Sequence, residues 1–236
     1  MAVRSYDKLS INEDILLDLP FNEGSGAITG DIAKPHHTFD LNNAPTWTSL
    51  VSGRGVLTFD GATEYLDASA ASTADMDFTS GDYSVGVWIN WTDVGGGLSQ
   101  IVIGRYGVDL DGWEIYLTEG GGFNYLTQRH HHATLAPNTR DGCYSTGWAQ
   151  STWFLLGISR SGLYPVHYRN GVALAMSYEA TGMLDPDTCN RDMVIGTRYT
   201  KDANWYQNMM WRPRMWSRVL SADEWMEIYD EESGWF

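Results

Sequence analysis

Three consecutive histidines, His130-His131-His132, stand in a stretch from Arg129 to Ser151 that shows no strand patterning. If that stretch is extended, His130 and His132 fall on one face, and imidazoles at this spacing can hold a transition metal. A solvent-exposed run in a long loop is the plainer account. The same stretch carries Trp148, and Tyr106, Tyr199, Trp205 and Tyr206 also fall in loop-like contexts. Flat aromatic rings stack on pyranose faces while Asn, Asp and His supply hydrogen bonds. His130, His132, Trp148, Tyr106, Trp205 and Tyr206 are therefore the expected glycan- or partner-binding set, although most of the 11 Trp must build core. Hydrolysis is poorly provided for. Cleaving a glycosidic bond takes two carboxyl groups roughly 5–10 Å apart, and Glu114 stands alone in Trp113-Glu114-Ile115. No Gly-x-Ser-x-Gly supplies a nucleophile, and Gly95-Gly96-Gly97 lacks the lysine and helix of a phosphate cradle.

The elements that must position these residues read as strands. The chain has 236 residues, 43% hydrophobic and 19% charged, with 25 Gly, 11 Trp and 13 Tyr. High glycine and aromatic content with little charge favours an all-β sandwich, because exposed helical faces need Lys and Glu. In the stretch Gly55–Trp91, Val56 to Phe59 closes on Asp60-Gly61, a strong turn signal. Tyr83, Val85, Val87 and Ile89 then alternate with Ser84, Gly86, Trp88 and Asn90 as a strand with one apolar face. Asn170-Gly171 marks a type I′ hairpin, and Pro213 places Met209–Trp216 at an edge or a bulge. The turn-rich segment 31–48 should wrap a sheet edge. Ser221-Ala222-Asp223-Glu224 is a capping box that opens a helix with Trp225, Ile228 and Tyr229 on its docked face.

The net charge of −15 argues against a nucleic-acid partner. No stretch approaches the 18 apolar residues of a membrane span, and the N-terminus lacks the apolar core of a signal peptide. Two cysteines, Cys143 and Cys189, are expected as free thiols.

Five pieces resemble, in order, the laminin-G-like domains of the concanavalin-A-like lectin/glucanase superfamily. They are "LLDLPFNEGSG", "GVLTFDGATEYLDA" with "SGDYSVGVWINWT", "STWFLLGISRSGLYPVHYRNGVALA", "MVIGTRY" and "RMWSRVLSADEWMEIY". The resemblance covers the chain from Ile15 to Tyr229. It implies a single jelly-roll β-sandwich of two antiparallel sheets with a short C-terminal helix, over residues 15–236, behind a loosely attached arm at 1–14. It also implies a Ca²⁺ site gathered from Asn22, Asp60 and Glu64, where the alternative role for Asp60 is to shape its turn. Two departures stand out. Met209-Met210-Trp211-Arg212-Pro213 replaces the acidic pair usual before the closing strand, and the Glu-x-Asp-x-x-Glu string of the glucanases is missing. The expected function is therefore a non-catalytic interaction module. In one reading it is a virion surface protein, a head decoration or tail-associated module that docks on a shell protein or on its own copies and offers its loops to glycans. In the other it is a free-standing or secreted lectin-like carbohydrate-binding module; a glycoside hydrolase is the third.

Overall fold

The computed structural model describes residues 6–95, 97–120, 123–133, 139–145, 148–175 and 182–236, with backbone alone at 7, 119, 120, 123, 124 and 139–145. The first eight strands in chain order are β1 Ile15–Asp18, β2 Ile28–Gly30, β3 Thr38–Asn42, β4 Thr46–Ser49, β5 Gly55–Asp60, β6 Tyr65–Ala68, β7 Tyr83–Trp91 and β8 Ser99–Gly107. They are followed by β9 Asp111–Gly120, β10 Phe123–His130, β11 Thr139–Ser145, β12 Trp153–Ser161, β13 Tyr164–Arg169, β14 Val172–Ala173, β15 Met193–Ile195 and β16 Gln207–Trp216. The helix α1 spans Ala222–Glu232.

These strands make two antiparallel sheets. One runs β14-β13-β12-β7-β16-β5-β4, with β1 also on β16; the other runs β11-β10-β9-β8-β15-β6-β3-β2. Together they form the expected β-sandwich. At the centre of the first sheet β16 changes neighbours along its length, pairing β5 through Gln207–Met210 and β1 through Arg214–Trp216. A register shift between Trp211 and Arg214 marks the change, and there Arg212 takes a left-handed φ of 53° before Pro213. The proline thus sits in a bulge of a central strand, where its missing N–H breaks no ladder.

All nine residues of β7 are buried. The alternation visible in the sequence reflects only the face toward the other sheet, because α1 covers the second face. The capping box forms as expected: Ser221 Oγ accepts from Glu224 N at 3.3 Å, and Glu224 Oε2 accepts from Ser221 N at 2.8 Å. The indole of Trp225 lies over Gly86 and Gly157, where an added Cβ would come within 2.7 and 2.9 Å of its ring. Trp225 donates to Ser159 Oγ at 2.9 Å, so a large fully buried side chain is also fixed by a hydrogen bond.

Three expectations need correction. From Tyr6 onward the arm is held to the sandwich. Tyr6 donates to Asp18 at 2.7 Å, Trp216 donates to Ile11 O at 2.8 Å, and Arg218 donates to Glu13 O at 2.9 Å. The stretch 129–151 also contains strand structure, since β10 runs to His130 and β11 pairs with it from Asn124↔Ser145 to His130↔Thr139. Polar residues on β11, an outermost strand, hide the alternation that would reveal it. Segment 31–48, expected to wrap a sheet edge, instead supplies β3, which pairs between β6 and β2 and sends Phe39 and Leu41 into the core. Cys189 is a free, buried thiol whose pKa burial and Asp111 push up to about 12; the side chain of Cys143 lies outside the described residues.

Among the described residues His167 departs from the rule that buried polar groups are paired. His167 on β13 is fully buried beside Ile158, and neither ring nitrogen has a hydrogen-bond partner. Burial pushes its pKa, and that of His130, down to about 3. In the unfolded chain both histidines take up a proton below about 6.5 while the folded ones stay neutral, so stability falls as pH drops from about 6.5 toward 3. Each contributes a slope of about 1.4 kcal/mol per pH unit in that window. His167→Leu is expected to raise stability by about 1–3 kcal/mol at pH 7 and to flatten the acid slope by one histidine's share. Urea unfolding at pH 7.5 and pH 5 checks both. An unchanged midpoint and slope would mean that His167 is not desolvated.

Candidate functional site

The six residues expected to bind a glycan or partner do not converge. His130 points into the sandwich, where its Nε2 meets Tyr83 Oη at 2.7 Å and its Nδ1 meets Leu184 O at 2.7 Å. Gln128 also donates to the Tyr83 hydroxyl, so the imidazole is locked in a buried network with both nitrogens engaged. No lone pair is left for a transition metal. Trp148 and Tyr206 are fully buried; Trp148 packs edge-on to Phe154 at 5.7 Å and Tyr206 edge-on to Phe59 at 5.7 Å. Tyr106 is a strand residue and His132 is 3% exposed. Of the six, only Trp205 is not fully buried, and it is half-buried.

His131, passed over in the sequence, is the histidine that faces away from the core. It stacks on Tyr106 at 5.1 Å and 14°, and its Nε2 lies 3.1 Å from Glu114 Oε1. Arg129 reaches the same Glu114 oxygen at 3.1 Å and the Tyr116 hydroxyl at 2.7 Å. Glu114 is thus a buried, doubly paired carboxylate, an arrangement that holds a sheet face together rather than one that cleaves a bond. Farther along this outer face, Tyr65 and Trp205 form a half-buried aromatic pair with centroids 6.0 Å apart. Lys201, held by Asp67 and Asp192, lies over the Tyr65 ring.

The residues offered for calcium divide in two. Asp60 Oδ1 accepts from the backbone N–H groups of Ala62, Thr63 and Glu64 at 2.8–3.0 Å, and Asp60 Oδ2 accepts from Thr63 Oγ1. Glu64 Oε2 accepts in return from Asp60 N at 2.7 Å. The turn is complete through its own donors, which hold the Asp60 carboxyl below its ordinary pKa despite partial burial. Among the described residues no group of three or more His, Cys, Asp or Glu side chains is arranged to hold a metal ion.

Asn22 belongs elsewhere, to a cleft of about 400 Å³ at the edge of the first sheet, lined by Phe21, Asn22, Gly24, Trp47, Thr48, Ser49, Gly53, Arg54 and Gly55. Local rules of the sequence build it. The β4–β5 hairpin turns through Gly53, whose φ of 84° suits glycine. The chain leaving β1 comes close to the start of β5, where Phe21 O would lie 2.9 Å from any Cβ on Gly55. Any larger residue there would push the two walls apart. Trp47 is half-buried, its Nε1 donates to Gly26 O at 3.0 Å, and Phe21 packs edge-on to it at 6.5 Å. Its indole is therefore held in place before any ligand arrives.

Beside this cleft the guanidinium of Arg54 lies between two indoles, 4.7 Å from the Trp211 ring and 4.0 Å from that of Trp235. Arg212 and Arg214 stand next to it. Arg212 binds Asp18 at 2.9 Å and Glu232 at 2.5 Å, and Arg214 binds Glu232 at 2.7 Å. Three guanidiniums here face two carboxylates. Asp18 and Glu232 hold the Arg212 pKa up against its burial, whereas burial and then the nearby Arg212 push that of Arg54 down.

Fold and site together define a class: a two-sheet β-sandwich with a small aromatic- and arginine-lined cleft at one edge. Comparison with solved structures places the same fold in the binding domains of botulinum neurotoxins. The receptor binding domain of botulinum neurotoxin D superposes with a TM-score of 0.69 at 14% identity, over 94% of this chain and 54% of that one. The serotype G binding domain gives 0.67 at 14%, over 93% and 51%. The serotype D ligand binding domain in complex with N-acetylneuraminic acid gives 0.67 at 13%, over 94% and 52%. The chain thus spans about half the length of these structures, and at such identities the likeness is one of fold. No protein-family model and no curated protein matches the sequence.

Proposed function

We propose that this protein is a non-catalytic, laminin-G-like binding module that holds a pyranose unit of a glycan in the Trp47 cleft. The observation that carries the reading is a pre-positioned indole in a concave site that the polar residues Asn22, Thr48 and Ser49 also line. An apolar ring face with a few convergent polar groups is the usual build of a small-ligand site. The sole carboxylate considered for hydrolysis, Glu114, is buried in ion pairs away from this cleft, which supports binding rather than cleavage. The fold neighbours lend support of a general kind, since they are receptor- and ligand-binding domains. For the carrier we keep the virion surface, on net charge alone: −15 favours a soluble, mutually repelling surface module.

Screening the intact protein on a glycan array tests the binding reading. Retention of pyranose glycans, abolished by Trp47→Ala, is expected. Retention that survives this substitution would move the site elsewhere, with the Tyr65–Trp205 pair next in line.

A further inference from the structure

From the charge balance around Arg54 we infer that the glycan unit taken by the cleft is acidic, a pyranose that carries a carboxylate. This rests on the proposed glycan reading and narrows it. In a chain with 30 acidic residues against 15 Lys and Arg, arginines readily find carboxylates, and Arg105, Arg129, Arg160, Arg191, Arg198, Arg212, Arg214 and Arg218 all do. Among the described residues Arg54 has no ion-pair partner and no side-chain hydrogen bond, and its Nε is buried without a partner. The guanidinium is nevertheless held in place, stacked between Trp211 and Trp235.

The nearest carboxylates cannot serve it. Glu232 already accepts from Trp88, Arg212 and Arg214, and Asp18 from Tyr6 and Arg212. The cluster therefore carries one surplus positive charge beside a cleft that is otherwise neutral, since none of its other lining residues is ionisable. A stacked, pre-oriented guanidinium with free donors is suited to the planar, bidentate fork of a carboxylate. Trp47 supplies the ring face that makes the bearer of that carboxylate a sugar rather than a bare anion.

Charge-assisted hydrogen bonds to one guanidinium are worth about 1.5–3 kcal/mol, so discrimination on the order of tenfold or more is expected between an acidic sugar and its neutral isostere. The test uses the full chain, NMR titrations with methyl glucuronide and methyl glucoside, and methyl glucuronide again at 0.5 M salt. Wild type should bind the glucuronide at least about tenfold more tightly, with the preference reduced by salt. Arg54→Gln should equalise the two sugars while leaving glucoside binding in place. Arg54→Lys, which keeps the charge without the fork, should fall between, and thermal unfolding of both variants controls for lost stacking on Trp211 and Trp235. Equal binding of the two sugars by wild type, or a preference that persists in Arg54→Gln, would overturn the acidic-sugar inference and leave the glycan reading standing. Failure of both sugars to bind would remove the glycan reading and this inference with it.

Discussion

Trp47→Ala is expected to abolish measurable glycan binding. Truncating a tryptophan at the centre of a small site costs about 2 kcal/mol or more, roughly 30-fold in affinity, and weak single-sugar binding would fall below detection. The effect on folding is expected to be smaller, because the ring is half-buried on an outermost strand and packs only at the margin of the core. Trp47→Phe keeps a stacking face but lacks the Nε1 that fixes the indole, so it should restore part of the affinity. Titrations of the three proteins with one sugar, alongside thermal unfolding, separate these effects. If Trp47→Ala binds as wild type does, the cleft is not the site.

Glu232→Ala is expected to have the largest effect on stability. The carboxylate is 5% exposed, closes the end of α1 onto the sheet, and accepts from Trp88 Nε1 at 2.7 Å as well as from two arginines. Removing it leaves Arg214, 3% exposed, without a carboxylate partner. Burial, with Arg212 adding to it, already pushes the pKa of Arg214 down. Breaking a buried pair from one side costs about 3–5 kcal/mol, which for a chain of this size lowers Tm by roughly 6–20 °C. Replacing Arg214 by Met in the same chain should recover part of the loss, because the buried charge goes with its partner. Thermal and urea unfolding of the single and double variants measure this. A single variant within about 1 kcal/mol of wild type would show that water reaches Arg214 freely.

The sequence conveyed the frame better than the site, for physical reasons that differ by residue. Asn170-Gly171 forces its hairpin because both residues adopt positive φ, 53° and 77°, and Ser221 with Glu224 forces the helix start; such signals are local. Pro213 could be placed at a bulge from its missing donor, though not in a central strand, because strand order is set by distant pairing. The residues of the expected binding set are scattered by the fold for a related reason. In His130-His131-His132 alternation puts the outer two on one face, but only the pairing of β10 with β9 decides that this face is the interior. Trp148 and Tyr206 lie where loops pass over the core, and their burial is tertiary. Trp47 and Arg54 were missed because neither sits in a motif. The usable signal was Thr46-Trp47-Thr48-Ser49, an outermost strand that places a large aromatic among small polar residues.

A chemical-shift map of the intact protein titrated with methyl glucuronide locates the sugar directly. With the sugar in the Trp47 cleft, the Trp47 indole N–H and the backbone amides of Asn22, Gly24 and Gly53–Gly55 are expected to shift, with the indole N–H of Trp205 unmoved. Shifts centred on Tyr65 and Trp205, or none at saturating sugar, would contradict that placement.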